Sequence, residues 1–139
     1  MNWTLWSLLS AVFAAVTAIL AKIGVAHVDS NLATAIRTTV VVIFAWSIAL
    51  ALGKHAEIRQ VDARAWVFLT LSGLGTGMSW LCYFRALQLG PASRVAPLDK
   101  LSVVLVMLFA VLFLGEKLSP MALAGGALIA AGAVVMVLA

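Results

Sequence analysis

Residues Trp3–Ile23 read WTLWSLLSAVFAAVTAILAKI, and Lys22 carries the only formal charge in the run. A hydrocarbon core about 30 Å thick needs roughly 20 apolar residues of helix to cross it. This stretch supplies them. Four more of the same character follow, at about Asn31–Leu52, Ala65–Leu89, Ser93–Gly115 and Pro120–Leu138. The connecting segments are too short to fold alone. With 65% of its 139 residues hydrophobic, 10% charged and a mean hydropathy of +1.16, the chain does not suit a water-soluble fold. The sequence predicts an all-α polytopic membrane protein, one domain over residues 1–139 with five transmembrane helices.

The first stretch is read as a retained helix. It has no basic leader, outruns a signal-peptide core and ends in Lys22 rather than a cleavage site. The net charge of +4 and pI near 9.9 come from basic residues in short loops and at helix ends, a membrane pattern, so no nucleic-acid partner is expected. Cys82, the single cysteine, lies inside an apolar span and builds neither a disulfide framework nor a metal cluster. No HExxH, GxSxG, phosphate-binding loop, CxxC or paired carboxylates occur, so neither an enzyme, a metal site nor a cofactor is expected. Any transport is secondary or relies on a partner ATPase.

Five crossings put the termini on opposite sides. One side collects Lys54, Arg59, Arg64 and Lys117; the other collects Arg94 and Lys100, joined by Lys22, Arg37 and Arg85 if those reach the surface. The Lys/Arg excess that orients a membrane protein is therefore slight, and both orientations are expected, which would let the chain pair with an inverted copy of itself.

Within the spans, a few residues do not belong to a lipid-facing surface. Lys22 shares a helix face with the small residues Ser7, Ala11, Ala15 and Ala18. It either lines a pathway or snorkels to the interface. Arg37 lies about 9 Å inside the second span at 1.5 Å per residue, with the same two readings. Asp29-Ser30-Asn31 supplies N-cap candidates for that span; Thr34 and Thr38 are read as bonding their own backbone or packing. The segment from Gly53 to Arg64 reads as a loop or short interfacial helix, with no role for His55, nor for His27 in the first loop.

The third span carries a small-residue stripe, Ser72, Gly75, Ser79, Cys82 and Ala86, expected to pack tightly. Beside it runs a polar-aromatic face of Thr76, Trp80 and Tyr83, expected to line a cavity, and Arg85 follows. Gly73 and Gly75 mark a bend or a close contact. In the next turn, LGPASRVAPLDK, Pro97 frees a carbonyl near membrane depth. Asp99 then needs a partner. Its sequence neighbour Lys100 does not face it on one helix, so Arg85 or Arg94 is expected to pair with it, and Asp99 is either a structural ion pair or a coupling or substrate site. The last span opens with Ser119-Pro120, an N-cap before a first-turn proline. Gly125 and Gly132 in AGGALIAAG make a close-contact surface, within the subunit or between subunits. Trp3, Trp6 and Trp66 fit the interfacial aromatic belt.

These features together resemble the EamA-type repeat of the drug/metabolite transporter superfamily. The resemblance runs through Lys22, AIRTTVVVIFAW in the second helix, and Trp80 and Tyr83 before Arg85-Ala86-Leu87 in the third. It is most specific in ALQLGPASRVAPLDKLSVVLVMLFAVLFLGEKLSPMALAGGALIAAG. Most members join two such repeats in inverted orientation. A single repeat implies an antiparallel dimer of ten helices around a midplane site. Gly73-Leu74-Gly75 is similar to the third-helix kink of the small multidrug resistance branch, and Gly125/Gly132 to its dimerisation helix. The first helix, however, carries Lys22 where that branch has a glutamate. Hydrophobic cations are therefore not implied, and anionic or zwitterionic metabolites suit the cationic residues better.

The resemblance thus implies a secondary transporter, an exporter of a small metabolite by alternating access, in a bacterial inner membrane. Lys22, Arg37, Trp80, Tyr83, Arg85 and Asp99 are the expected substrate-binding residues. Gly73, Gly75 and Pro97 are the expected hinges, and Gly125 and Gly132 the dimer contact. The partners are the lipid bilayer, a small-molecule substrate and a second copy. A lipid or lipid-linked-sugar flippase and a non-transporting subunit of a heterodimer are the alternatives.

Overall fold

The computed structural model describes residues 2–138. Six α-helices follow one another: α1 (Trp3–Gly24), α2 (Ser30–Ala51), α3 (Ala63–Leu89), α4 (Ala92–Asp99), α5 (Leu101–Leu114) and α6 (Pro120–Leu138). A short 3-10 helix at Lys54–Gln60 fills the polar segment between α2 and α3. No strand occurs among the described residues. Helices α4 and α5 together make the fourth span, Ala92–Leu114, so five segments are long and apolar enough to cross a bilayer.

Local chemistry sets where the helices begin and end. Each helix start leaves amides without an intrahelical acceptor. The Asp29 carboxylate accepts from the amides of Asn31 at 2.9 Å and Leu32 at 3.2 Å, capping α2. Asp62 accepts from the Ala65 amide at 3.1 Å at the start of α3. Ser119 Oγ accepts from Ala122 at 3.1 Å, with Pro120 at the first position of α6. Helix α5 ends at Gly115, whose φ of 67° is left-handed and costs glycine little. The Glu116 amide then closes back on the Ala110 carbonyl at 3.1 Å.

The fourth span is interrupted. Pro97 sits inside α4, and the helix ends two residues later. Around the break the bonds tighten to i→i−3: Lys100 to the Pro97 carbonyl and Val103 to that of Lys100, both at 3.0 Å. This changes the pairing of Asp99. Its carboxylate meets the Lys100 ammonium at 3.4 Å, the neighbour that a continuous helix would have turned aside. Asp99 closes the first helix and Lys100 stands between the two. The one-helix geometry behind the Arg85 or Arg94 expectation therefore does not apply there.

The chain forms two compact units, residues up to Lys22 together with those from Leu89 onward, and Ile23–Gln88. In the first, α4 and α5 pack against α6. The contact is built on small residues: Gly126 and Ala133 on α6 and Ala110 on α5 are buried. A Cβ on Gly126 would lie 3.0 Å from Met107 Sδ. Gly125 and Gly132 are one position short of that face, and a Cβ on either would meet nothing within 4 Å. About 100° per residue separates the two stripes on an α-helix. The sequence leaves open whether Gly125 and Gly132 face inward or outward. Gly126 and Ala133 take the inward place.

In the second unit the turn after α1 is tied to the end of α3. Gln88 Nε2 donates to the carbonyls of Val28 at 2.6 Å and Val25 at 3.3 Å. Val25, Ser30, Thr34, Phe84 and Leu87 are the buried residues here, and Val25 and Leu87 are the largest side chains fully out of reach of solvent. The small stripe of α3 does not pack as expected. Ser72, Gly75, Ser79 and Cys82 are exposed, and a Cβ on Gly73 or Gly75 would meet nothing within 4 Å. Helix α2 instead meets the neighbouring face of α3, through Trp80 and Phe84. Helix α3 runs unbroken through its glycines.

Large apolar side chains otherwise stand bare, Trp3 at 77% exposure and Phe113 at 78%. Lipid is the medium that covers such faces without cost.

Two substitutions check this packing. Gly126→Leu should overpack the Met107 contact and destabilise the detergent-solubilised monomer by about 1–3 kcal/mol, while Gly132→Leu should leave its unfolding transition in place. Gln88→Leu strips two carbonyls of a shared donor. It should cost about 1–3 kcal/mol and speed amide exchange across Val25–Asp29.

Candidate binding site on α2 and α3

Helix periodicity places Trp80 and Phe84, four residues apart, on one face of α3. Arg37 of α2 lies across them. Its guanidinium carbon is 4.2 Å from the centroid of the Trp80 ring and 5.4 Å from that of Phe84. Phe84 is buried, while Arg37 and Trp80 are half-buried. Tyr83, also half-buried, is the next residue along and lies within electrostatic range of the guanidinium. Planar guanidinium stacks well on aromatic faces, and a cation–π contact is worth about 0.5–2 kcal/mol, rising as water is excluded. Among the described residues, neither ion pair involves Arg37, so no carboxylate pairs with its guanidinium.

Two threonines neighbour Arg37 on α2. Thr34 donates to the Ser30 carbonyl at 2.7 Å and Thr38 to the Thr34 carbonyl at 2.8 Å, the backbone bonding expected of threonine within a helix. Beyond them an open furrow of about 430 Å³ runs between α2 and α3, walled by Ala35, Val42, Ile43 and Leu81, with Asn31 also in its lining. Arg37 and Trp80 do not line it. The furrow and the charged group have different linings, and the chemistry identifies the site, because the furrow walls are apolar and their hydroxyls are already engaged.

The other expected binding residues have different surroundings. Arg85 is exposed and donates to Gln88 Oε1 at 3.0 Å, so it steadies the amide that holds the α1–α2 turn. Lys22, half-buried, donates to the Gly90 carbonyl at 2.9 Å, in the turn before Pro91. Asp99 is exposed beside Lys100. Arg37, Trp80 and Tyr83 are thus gathered in one unit with Arg85 nearby in sequence. Lys22 and Asp99 belong to the other. Reading the sequence missed Phe84 and Gln88. The first was findable, since it repeats Trp80 one turn later. Gln88 carried only a weak signal, an amide just ahead of the Gly90-Pro91 break. No group of three or more metal-ligating side chains occurs among the described residues.

Comparison with known proteins agrees with this architecture. The profile of the EamA-like transporter family matches residues 1–138. An uncharacterized transporter in the cobO 3' region of Sinorhizobium sp is 56% identical over 135 residues, which cover 97% of this chain and 96% of that protein. No solved structure matches significantly. With five apolar helices and a family match along nearly its whole length, this multi-pass membrane protein belongs to the EamA-like transporter family.

Proposed function

We propose that the protein is a secondary transporter that exports a small metabolite by alternating access, as an inverted homodimer of ten helices in a bacterial inner membrane. The observation that carries the reading is Arg37 on Trp80. An ionisable group inside a span is costly and is retained where it serves a pathway. Trp80 and Tyr83 form the aromatic wall of the binding site, and Arg37 its cation. Arg85, on the same helix as Trp80 and Tyr83, extends the polar surface of this site, and Lys22 and Asp99 are proposed as polar positions of the other unit.

The hinges are Gly73, Gly75 and Pro97. Supporting the last is the break that follows it, with α4 ending at Asp99 and α5 beginning at Leu101. The dimer contact runs along Gly125 and Gly132. Its support is the open space beside both glycines, which lets another helix backbone approach closely. A lipid or lipid-linked-sugar flippase is the second reading, favoured by the open, apolar-walled furrow between α2 and α3.

Metabolite profiling of cells producing the protein, against cells producing Trp80→Ala, tests the site. Export should fall at least tenfold in the variant while detergent-resistant dimers persist. Undiminished export would return Trp80 to a packing role. In the same cells, Gly132→Leu should lower the dimer fraction without lowering the amount of inserted protein. An unchanged dimer fraction would move the interface away from α6.

A further inference from the structure

We infer that Arg37, held over Trp80 and Phe84, is a receptor for a single carboxylate or phosphate group. The inference rests on the transporter reading for its purpose, but not for its chemistry. Three features converge on it. The guanidinium sits in a membrane-spanning helix, where an uncompensated charge is expensive. Among the described residues no carboxylate neutralises it, because the ion pairs there are Lys54–Glu57 and Lys100–Asp99. Two aromatic neighbours also hold it, with its central carbon 4.2 and 5.4 Å from their centroids, so it sits over aromatic rings rather than beside an acid.

An arginine that merely snorkelled would need freedom to follow the headgroups. This one is tethered to two rings, one of them buried. What completes it is an oxygen acid that takes two parallel N–H···O bonds, the arrangement in which arginine exceeds lysine. An anion also relieves the cost of the charge, which a neutral acceptor does not. The adjacent Trp80 and Tyr83 rings offer an apolar surface to whatever is attached to the acid. The ligand is therefore an acid with an apolar or aromatic body, either a soluble metabolite or the headgroup of an anionic lipid.

Equilibrium binding separates these sources and does not depend on transport. Protein carrying Trp80 as its sole tryptophan, with Trp3, Trp6, Trp46 and Trp66 replaced by Phe, is placed in phosphatidylcholine nanodiscs. It is titrated with benzoate and with inorganic phosphate while Trp80 fluorescence is followed. A saturable change, absent in Arg37→Gln and shifted at least tenfold in Kd in Arg37→Lys, establishes the receptor and a soluble ligand. If instead Trp80 emission responds to phosphatidylglycerol in the nanodisc, in an Arg37-dependent manner, the receptor stands and the acid is a lipid headgroup. No Arg37-dependent response to benzoate, phosphate or phosphatidylglycerol overturns the inference. Helical content and elution volume matching the parent confirm that each variant is folded, and Arg37→Lys retains the charge if Arg37→Gln does not fold. Continued Trp80-dependent export beside a failed binding test would reject the anion receptor and leave the transporter reading in place.

Discussion

The hydrocarbon interior offers no water, so every backbone amide and carbonyl that leaves a helix must find a partner within the protein or reach the interface. Much of the polar chemistry in this chain answers that constraint. Asp29, Asp62 and Ser119 accept the first amides of three helices. Gly115 turns left-handed so that the next amide reaches back to Ala110. Gln88 serves two carbonyls of the α1–α2 turn, and Lys22 serves that of Gly90. Set against this use of polar groups, Arg37 is held instead over Trp80 and Phe84, with no ion pair among the described residues, and this is why it marks the site.

Packing follows a second consequence of the same solvent. Lipid chains are as apolar as leucine, so helices gain little by burying large side chains and gain instead by close approach. The α5–α6 contact shows this, with Ala110, Gly126 and Ala133 buried while Phe113 and Met121 remain bare. Function asks something further of the same helix. Gly125 and Gly132 keep a second small-residue stripe open, and the proposed inverted pairing gives it an occupant.

Much of the fold was legible in the sequence because span length and capping are local properties. Five apolar runs, Asp29 before α2 and Ser119-Pro120 before α6 need no tertiary information. The EamA-like resemblance was legible too, from the turn and loop motifs around Gly90-Pro91 and Gly115. What could not be read was register. Whether Gly125 or Gly126 faces α5 is a rotation of about 100°, and apolar residues surround both. The same ambiguity hid the contact of Arg37 with Trp80, since each was conspicuous alone but their meeting depends on how α2 lies on α3. Asp99 was assigned a distant partner on the premise of a continuous fourth helix. The break at Lys100 removed that premise.

In the proposed inverted pairing, a second copy would supply a further wall to the pathway and place its own Arg37 on the opposite side of the membrane. The slight Lys/Arg bias between loops permits it. Two-sided labelling tests this most directly. A cysteine replaces His55 in the polar segment between α2 and α3, in a Cys82→Ser background, and a membrane-impermeant maleimide is applied to intact cells and to inverted vesicles. The account predicts substantial labelling from both faces. Labelling confined to one face would contradict it.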